Sequence, residues 1–273
     1  MGYVSTQDFH HSISLLRSFF LSKGYLEVHT QDRLSILAAC EDPDTIATFE
    51  YQGQKRPLPQ TGQMWLEYEL LTHPEFTGVF CVSTSYRQEP NPIPGRHETI
   101  FPMFEFEARG DMNDLIQLEK ELLVHLGFGV PEQFSLATYQ ETAELFSTKE
   151  LTTEHEMALR QEHKKPVHFI TYFPEYTHPF WNMKRSGDLA NKTDVILCGM
   201  ETIGSAQREV DPVIMRERFY TISNGGYAQK LFDHFGKERV EKELEEFLSH
   251  GFFPRYGGGI GMTRLIRALK NIG

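Results

Sequence analysis

Residues 86–107, Tyr-Arg-Gln-Glu-Pro-Asn-Pro-Ile-Pro-Gly-Arg-His-Glu-Thr-Ile-Phe-Pro-Met-Phe-Glu-Phe-Glu, gather side chains whose types and spacing suit phosphate and base recognition. Two β-like runs flank a Pro/Gly loop. Arg87 and Glu89 end the first run, Arg96 and His97 open the second, and Phe101 follows four residues later. Guanidinium groups bind phosphate oxygens through charge-assisted hydrogen bonds. A carboxylate can accept from an adenine amino group, and a ring can stack on the base. This set suits a nucleoside triphosphate; a charged, solvated hairpin is the other reading the same residues allow.

Three further constellations carry chemistry. Gly257, Gly258, Gly259 and Gly261 run into Arg264 at an apparent helix start. Small residues let the backbone approach a ligand closely, and the arginine reaches a γ-phosphate or lies along adenine; a flexible turn has the same composition. Asp194 and Glu201 stand seven apart across an apolar run. Facing one pocket beside phosphates, they would hold Mg²⁺; otherwise they are ordinary acids at strand ends. Residues 61–67, Thr-Gly-Gln-Met-Trp-Leu-Glu, put Gln63 and Glu67 on a short helix.

The elements that must position these groups follow from periodicity. Residues 6–23 predict an amphipathic helix, with Phe9, Ile13, Leu16 and Phe20 at helical spacing and Gly24 as its stop. Residues 25–29 predict a strand, and 41–60 a loop or short hairpin. A short helix is expected over 62–71, a buried strand over 78–86, and a strong helix over 111–126 with Asp111 and Asp114 at its start. Short helices with polar connections are expected over 135–166. Strand patterns return at 167–172, 195–198 and 202–206. One long charged helix is expected over 227–250, with Leu231, Phe235, Val240, Leu244 and Phe247 on one side. Strands grouped into hairpins, with helices separate, predict an α+β fold with a mainly antiparallel sheet. No repeat or boundary interrupts the pattern, so residues 1–273 are expected to form one domain.

The 273 residues are 40% hydrophobic and 24% charged, which is ordinary globular composition. There is no apolar run of the ~18 residues a membrane span needs, and the first residues are polar and helix-like. Cys40, Cys81 and Cys198 are odd in number and widely spaced with no CxxC pair, which argues against a disulfide framework or a zinc site and fits a reducing cytoplasm. The net charge of −11 argues against broad nucleic-acid binding.

Taken in order, these segments resemble the catalytic core of class II aminoacyl-tRNA synthetases, asparaginyl/aspartyl subclass. Residues 86–101 match motif 2, roughly Phe-Arg-x-Glu, loop, Arg-His-x-x-x-Phe. Residues 257–264 match motif 3, Gly-x-Gly-x-Gly-x-x-Arg. The first helix with Tyr-Leu-Glu-Val-His-Thr at 25–30 resembles motif 1, the dimerisation motif, with Gln31 where the family has proline. Residues 194–209 resemble the subclass segment ending Gly-Ser-Gln-Arg-Glu or Gly-Ala-Gln-Arg. Residues 61–67 resemble the asparaginyl Ser-Gly-Gln-Leu-x-Leu-Glu, where aspartyl enzymes have lysine in place of Leu66. Residues 151–159 and 172–184 resemble further stretches of the subclass. Ile100 stands where the subclass usually has glutamate. The likeness spans residues 6–272 and includes no anticodon-binding OB-fold.

The resemblance implies an antiparallel sheet flanked by helices, a homodimer, and an adenylate-forming ligase that uses ATP and Mg²⁺. It implies Arg87 and Arg264 as catalytic cations, and Glu89, His97 and Phe101 as further ATP contacts. Gln63, Glu67 and Arg208 would bind the amino acid, and Asp194 and Glu201 the metal. A stand-alone core is similar to the synthetase-related archaeal asparagine synthetase, which implies activation of aspartate, asparagine or an analogue and transfer to an amine such as ammonia. The alternatives are a truncated synthetase that charges tRNA without an anticodon domain, and a non-catalytic sensor of amino acid or nucleotide.

Overall fold

The computed structural model describes residues 4–30, 35–37, 43–89, 98–177 and 179–272. The first helix, α1 (Thr6–Ser22), buries Ile13, Leu16, Phe19 and Phe20 and gives way at Gly24, whose φ of +78° suits glycine. The expected strand after it shrinks to β1 (Leu26–Glu27), and Gln31 lies outside the described residues. β2 (Thr48–Tyr51) and β3 (Gln54–Pro57) make a separate hairpin. There follow α2 (Gln63–Thr72), β4 (Gly78–Tyr86) and β5 (Ile100–Arg109). α3 (Met112–His125) begins with a reciprocal capping box between Asp111 and Asp114.

Where short helices alone were expected, β6 (Ser135–Thr138) precedes α4 (Tyr139–Leu145) and α5 (Thr153–His163). The next strands are β7 (Val167–Pro174), β8 (Arg185–Ser186), β9 (Leu189–Leu197) and β10 (Met200–Gln207). The expected long helix is instead α7 (Gly226–Phe235) and α8 (Lys237–Leu248), preceded by α6 (Pro212–Thr221). Gly236, at φ +87° and ψ +135°, breaks it and lets both halves bury apolar faces in one cluster. The glycine run is not a loop. It forms β11 (Arg255–Gly261), which leads directly into α9 (Met262–Lys270).

One nine-stranded sheet has the order β1-β4-β5-β11-β10-β9-β7-β6, with β8 on β9. Pairing is antiparallel through the middle and parallel only at the edge pairs β1/β4 and β6/β7. The fold is therefore α+β, a mainly antiparallel sheet flanked by helices. On one face, Phe80, Phe104, Phe106, Val195, Ile203 and Ile260 pack with residues of α1, α3 and α9. A second cluster gathers α6, α7 and α8 around Phe180, Trp181 and Met183. No helix among the described residues is long and apolar enough to cross a membrane.

Candidate active site

In β5 the sequence Phe104-Glu105-Phe106-Glu107 alternates, so the two rings enter the core with α1 and α3 while both carboxylates face the other side. Glu105 is fully buried and works at the start of α2: its carboxylate accepts from the Gly62 N–H at 2.8 Å and from the Thr61 hydroxyl. A carboxylate at a helix N-terminus satisfies orphan N–H groups and complements the dipole. It fixes the first residue of α2, Gln63, over the sheet.

Glu107 holds Arg208, whose Nε and Nη2 each donate to it at 3.0 Å, while Nη2 also reaches Gln63 Oε1 at 3.3 Å. A second buried pair lies alongside. Arg255 donates from Nε and Nη2 to Glu67 Oε2 at 3.0 and 2.5 Å, and Arg208 Nε lies 3.5 Å from Glu67 Oε1. Asn182 donates to Glu67 Oε1 at 2.5 Å. Two guanidinium groups and two carboxylates thus form a closed, charge-balanced row. Burial pushes the Glu107 carboxyl up to about 7, with Arg208 opposing the rise and Glu67 adding to it.

The glycines of β11 keep this row intact. A Cβ on Gly257 would stand 1.7 Å from Glu107 Oε2, and one on Gly259 would stand 2.9 Å from Gln63 Nε2.

Above the row a cavity of about 290 Å³ opens, large enough for a small molecule and too small for a macromolecular surface. Gln63 and Arg208 line its floor, and Arg87, Glu89 and Phe101 line one wall. Arg87 follows β4, donates its N–H to the Thr99 carbonyl at 2.8 Å, and holds its guanidinium 5.6 Å from the Phe101 ring centroid. Glu201 and Arg264 line the cavity as well. Arg264, in the first turn of α9, donates from Nη1 to the Glu201 carbonyl at 2.7 Å and lies 3.7 Å from its carboxylate. Glu98 joins the rim, accepting from Thr263 at 2.8 Å and lying 3.6 Å from Arg267.

Asp194 and Glu201 converge through a bulge. β9 and β10 shift register between Glu201 and Ile203, which turns Glu201 toward the cavity although strict alternation would send it to the other face. Glu201 Oε1 and Asp194 Oδ1 come within 3.5 and 3.7 Å of the point where a Cβ on Gly204 would stand. The two carboxylates share a space that a side chain at Gly204 would fill, and such a pair fits a divalent cation.

Seven of the ten residues singled out from sequence, Gln63, Arg87, Glu89, Phe101, Glu201, Arg208 and Arg264, line this single cavity. Asp194 sits beside it, with its carboxylate covered by Lys192. Glu67 does not line it: its carboxylate is spent on Arg255 and Asn182 beneath the floor, and Leu66 packs against Leu70, Val79 and Cys81. His97 and Arg96 lie outside the described residues. Glu105, Glu107, Lys192 and Arg255 escaped the sequence reading. For the two glutamates the Phe-Glu-Phe-Glu alternation was an available signal; for Arg255 and Lys192 there was none at short range.

A family model for class II tRNA synthetases (D, K and N) matches residues 6–272. Among curated relatives, an aspartate–tRNA(Asp/Asn) ligase of Methanopyrus kandleri is 26% identical over 282 residues, covering 93% of this chain and 61% of the relative. An aspartate–tRNA(Asp) ligase of Thermoplasma volcanium is 26% identical over 289 residues, covering 94% and 63%. The chain thus spans less than two thirds of the length of these relatives. Among solved structures, asparaginyl-tRNA synthetase from Pyrococcus horikoshii complexed with asparaginyl-adenylate aligns with a TM-score of 0.78 at 21% identity, over 96% of this chain and 64% of that one. Aspartyl tRNA synthetase from Entamoeba histolytica aligns at 0.72 and 20% identity, over 97% and 55%. Such likeness shows the same fold, and the family match runs through every strand and helix that lines the cavity. The chain that builds this cavity belongs to the class II tRNA synthetases of the D, K and N type.

Proposed function

We propose that this chain activates the carboxylate of an aspartate- or asparagine-type amino acid with ATP, forming an acyl-adenylate and releasing pyrophosphate. The observation that carries this reading is the convergence of Arg87, Glu89, Phe101 and Arg264 with Gln63 and Arg208 in one cavity. A carboxylate oxygen of the amino acid attacks the α-phosphorus, and the bond to the bridging oxygen of pyrophosphate breaks. Arg87 meets the charge that develops on the α-phosphate, and Arg264 the leaving phosphates. Glu89 accepts from the adenine amino group, and Phe101 stacks on the ring.

Gln63 and Arg208 receive the amino acid. Arg208 Nε and Nη2 both donate to Glu107, which clamps the guanidinium plane, so the group is aimed before substrate arrives. Asp194 and Glu201 would hold Mg²⁺, which supplies phosphate charge neutralisation when bound. Among the described residues no group is placed for covalent catalysis, and the acceleration comes from positioning and electrostatics.

Amino-acid-dependent ATP–pyrophosphate exchange, run over all amino acids without tRNA, tests the proposal. Exchange with aspartate or asparagine is the expected result; exchange with a large apolar amino acid and neither of these would reject the pocket assignment. No exchange with any amino acid would favour the sensor reading.

The acyl acceptor has two readings. Ammonia or another small amine is supported by the net charge of −11, which weakens phosphate-driven tRNA affinity. tRNA is supported by the relatives, whose names are tRNA ligases. Labelled aspartate with ATP and Mg²⁺, incubated with ammonium and separately with total tRNA, distinguishes them. A free labelled amide supports the first; labelled tRNA without free amide supports the second.

A further inference from the structure

Lys192 takes no part in the reaction proposed above, yet it lines the cavity. β9 and β10 pair so that Lys192 stands opposite Ala206 and Asp194 opposite Gly204, on the same side of the sheet. Lys192 Nζ lies 3.3 Å from Asp194 Oδ2 and 4.4 Å from the centroid of the Phe173 ring. Carboxylate and ring hold the ammonium from two sides. The two side chains are 15% and 12% exposed, so water screens their attraction poorly. Lys192 lines the cavity, and Asp194 lies behind it.

Glu201 has a counter-cation of its own in Arg264, 3.7 Å away. The carboxylate pair that fits a divalent cation therefore already meets two positive charges. A bare metal ion must either displace the ammonium from Asp194 or bind against its repulsion. A metal ion that arrives on a triphosphate brings negative charge that can receive the displaced ammonium, and phosphate oxygens that complete its shell.

We propose that Lys192 is a resident counter-ion that holds Asp194 against bare divalent metal, so that metal enters this site together with the nucleotide. The inference rests on reading Asp194 and Glu201 as the metal pair.

The test counts free Mn²⁺ by electron paramagnetic resonance during titration of the whole chain, without turnover. Lys192→Met and Lys192→Gln each bind Mn²⁺ about tenfold more tightly than wild type or better, because a like charge a few ångströms from the ion is gone. Lys192→Arg keeps the wild-type affinity. Adding Asp194→Asn to Lys192→Met abolishes the gain. A non-hydrolysable ATP analogue tightens Mn²⁺ binding more in wild type than in Lys192→Met. Unchanged Mn²⁺ affinity in both neutral variants overturns the proposal, as does a gain that survives Asp194→Asn. Absence of pyrophosphate exchange in wild type would remove the activation reading alone and leave the metal titration to decide this one.

Discussion

Arg87 is the side chain on which the proposed chemistry leans most. Its replacement by alanine removes a contact that strengthens as charge gathers on the α-phosphate, so pyrophosphate exchange should fall roughly 10²–10³-fold with the fold intact. Exchange at the wild-type rate would contradict the assignment. Arg208→Ala should weaken amino-acid binding more than ATP binding. It also strands Glu107 without its partner, at a cost of about 3–5 kcal/mol, so a thermal melt must accompany the kinetics. Glu119 on α3 allows a test of burial that needs no turnover. It is fully buried and accepts from Ser205 at 2.6 Å, while its other oxygen has no hydrogen-bond partner among the described residues. Burial raises its pKa from 4.5 to about 8. The folded state therefore holds this proton more tightly than the unfolded one. The stability it contributes is fully present below about 4.5 and lost as pH rises through about 8. Glu119→Gln should match wild type near pH 5 and exceed it near pH 9, the gap growing by about 1.4 kcal/mol per pH unit at most. Urea unfolding at both pH values reads this directly, and an equal gap at both would mean the carboxyl is not protonated. Arg87, Glu89, Phe101 and Arg264 were legible in sequence because each sits in a short motif. Arg255 was not, because its partner Glu67 is 188 residues away and no local spacing encodes the pair.

Among the elements, the helices that carry their own start and stop signals were the most legible. α3 has the Asp111 and Asp114 box before it and Gly127, at φ +86°, after it. The break between α7 and α8 was hidden because the apolar spacing runs on through Gly236; only the position of the core shows that the two halves diverge. The glycine run left its element open for a related reason. Glycines usually mark turns, but here neighbouring strands carry side chains so close that no Cβ fits between them. The bulge at Glu201 was equally invisible, since it depends on the partner strand. Gly257→Ala tests the strand reading. Its new methyl would collide with Glu107 and with the Phe106 carbonyl, 2.5 Å away, so about 1–3 kcal/mol of stability or more should be lost. Chemical denaturation that shows no loss would mean that β5 and β11 are not packed as described.

At the scale of the whole molecule, α1, β1 and α3 leave Leu21, Leu26 and Val124 at 55%, 44% and 40% exposure. A two-fold interface on this side would cover them, as motif 1 leads one to expect. Light scattering at micromolar concentration should then give about twice the 31.6 kDa chain mass. Leu21→Glu combined with Leu26→Lys should bring it to one. A wild-type monomer would remove motif 1 from the account. The sheet order has a different consequence, for biosynthesis. Its centre is closed by β11, which comes last in chain order among the strands of this sheet and pairs β5 on one side and β10 on the other. Until residue 261 has left the ribosome, the nascent chain holds two half-sheets, each with an open row of N–H and C=O groups where its neighbour should be. Such edges template pairing with other chains. Release from that hazard comes only with the closing strand, so the same glycine-rich strand that lines the cavity also seals the two open edges.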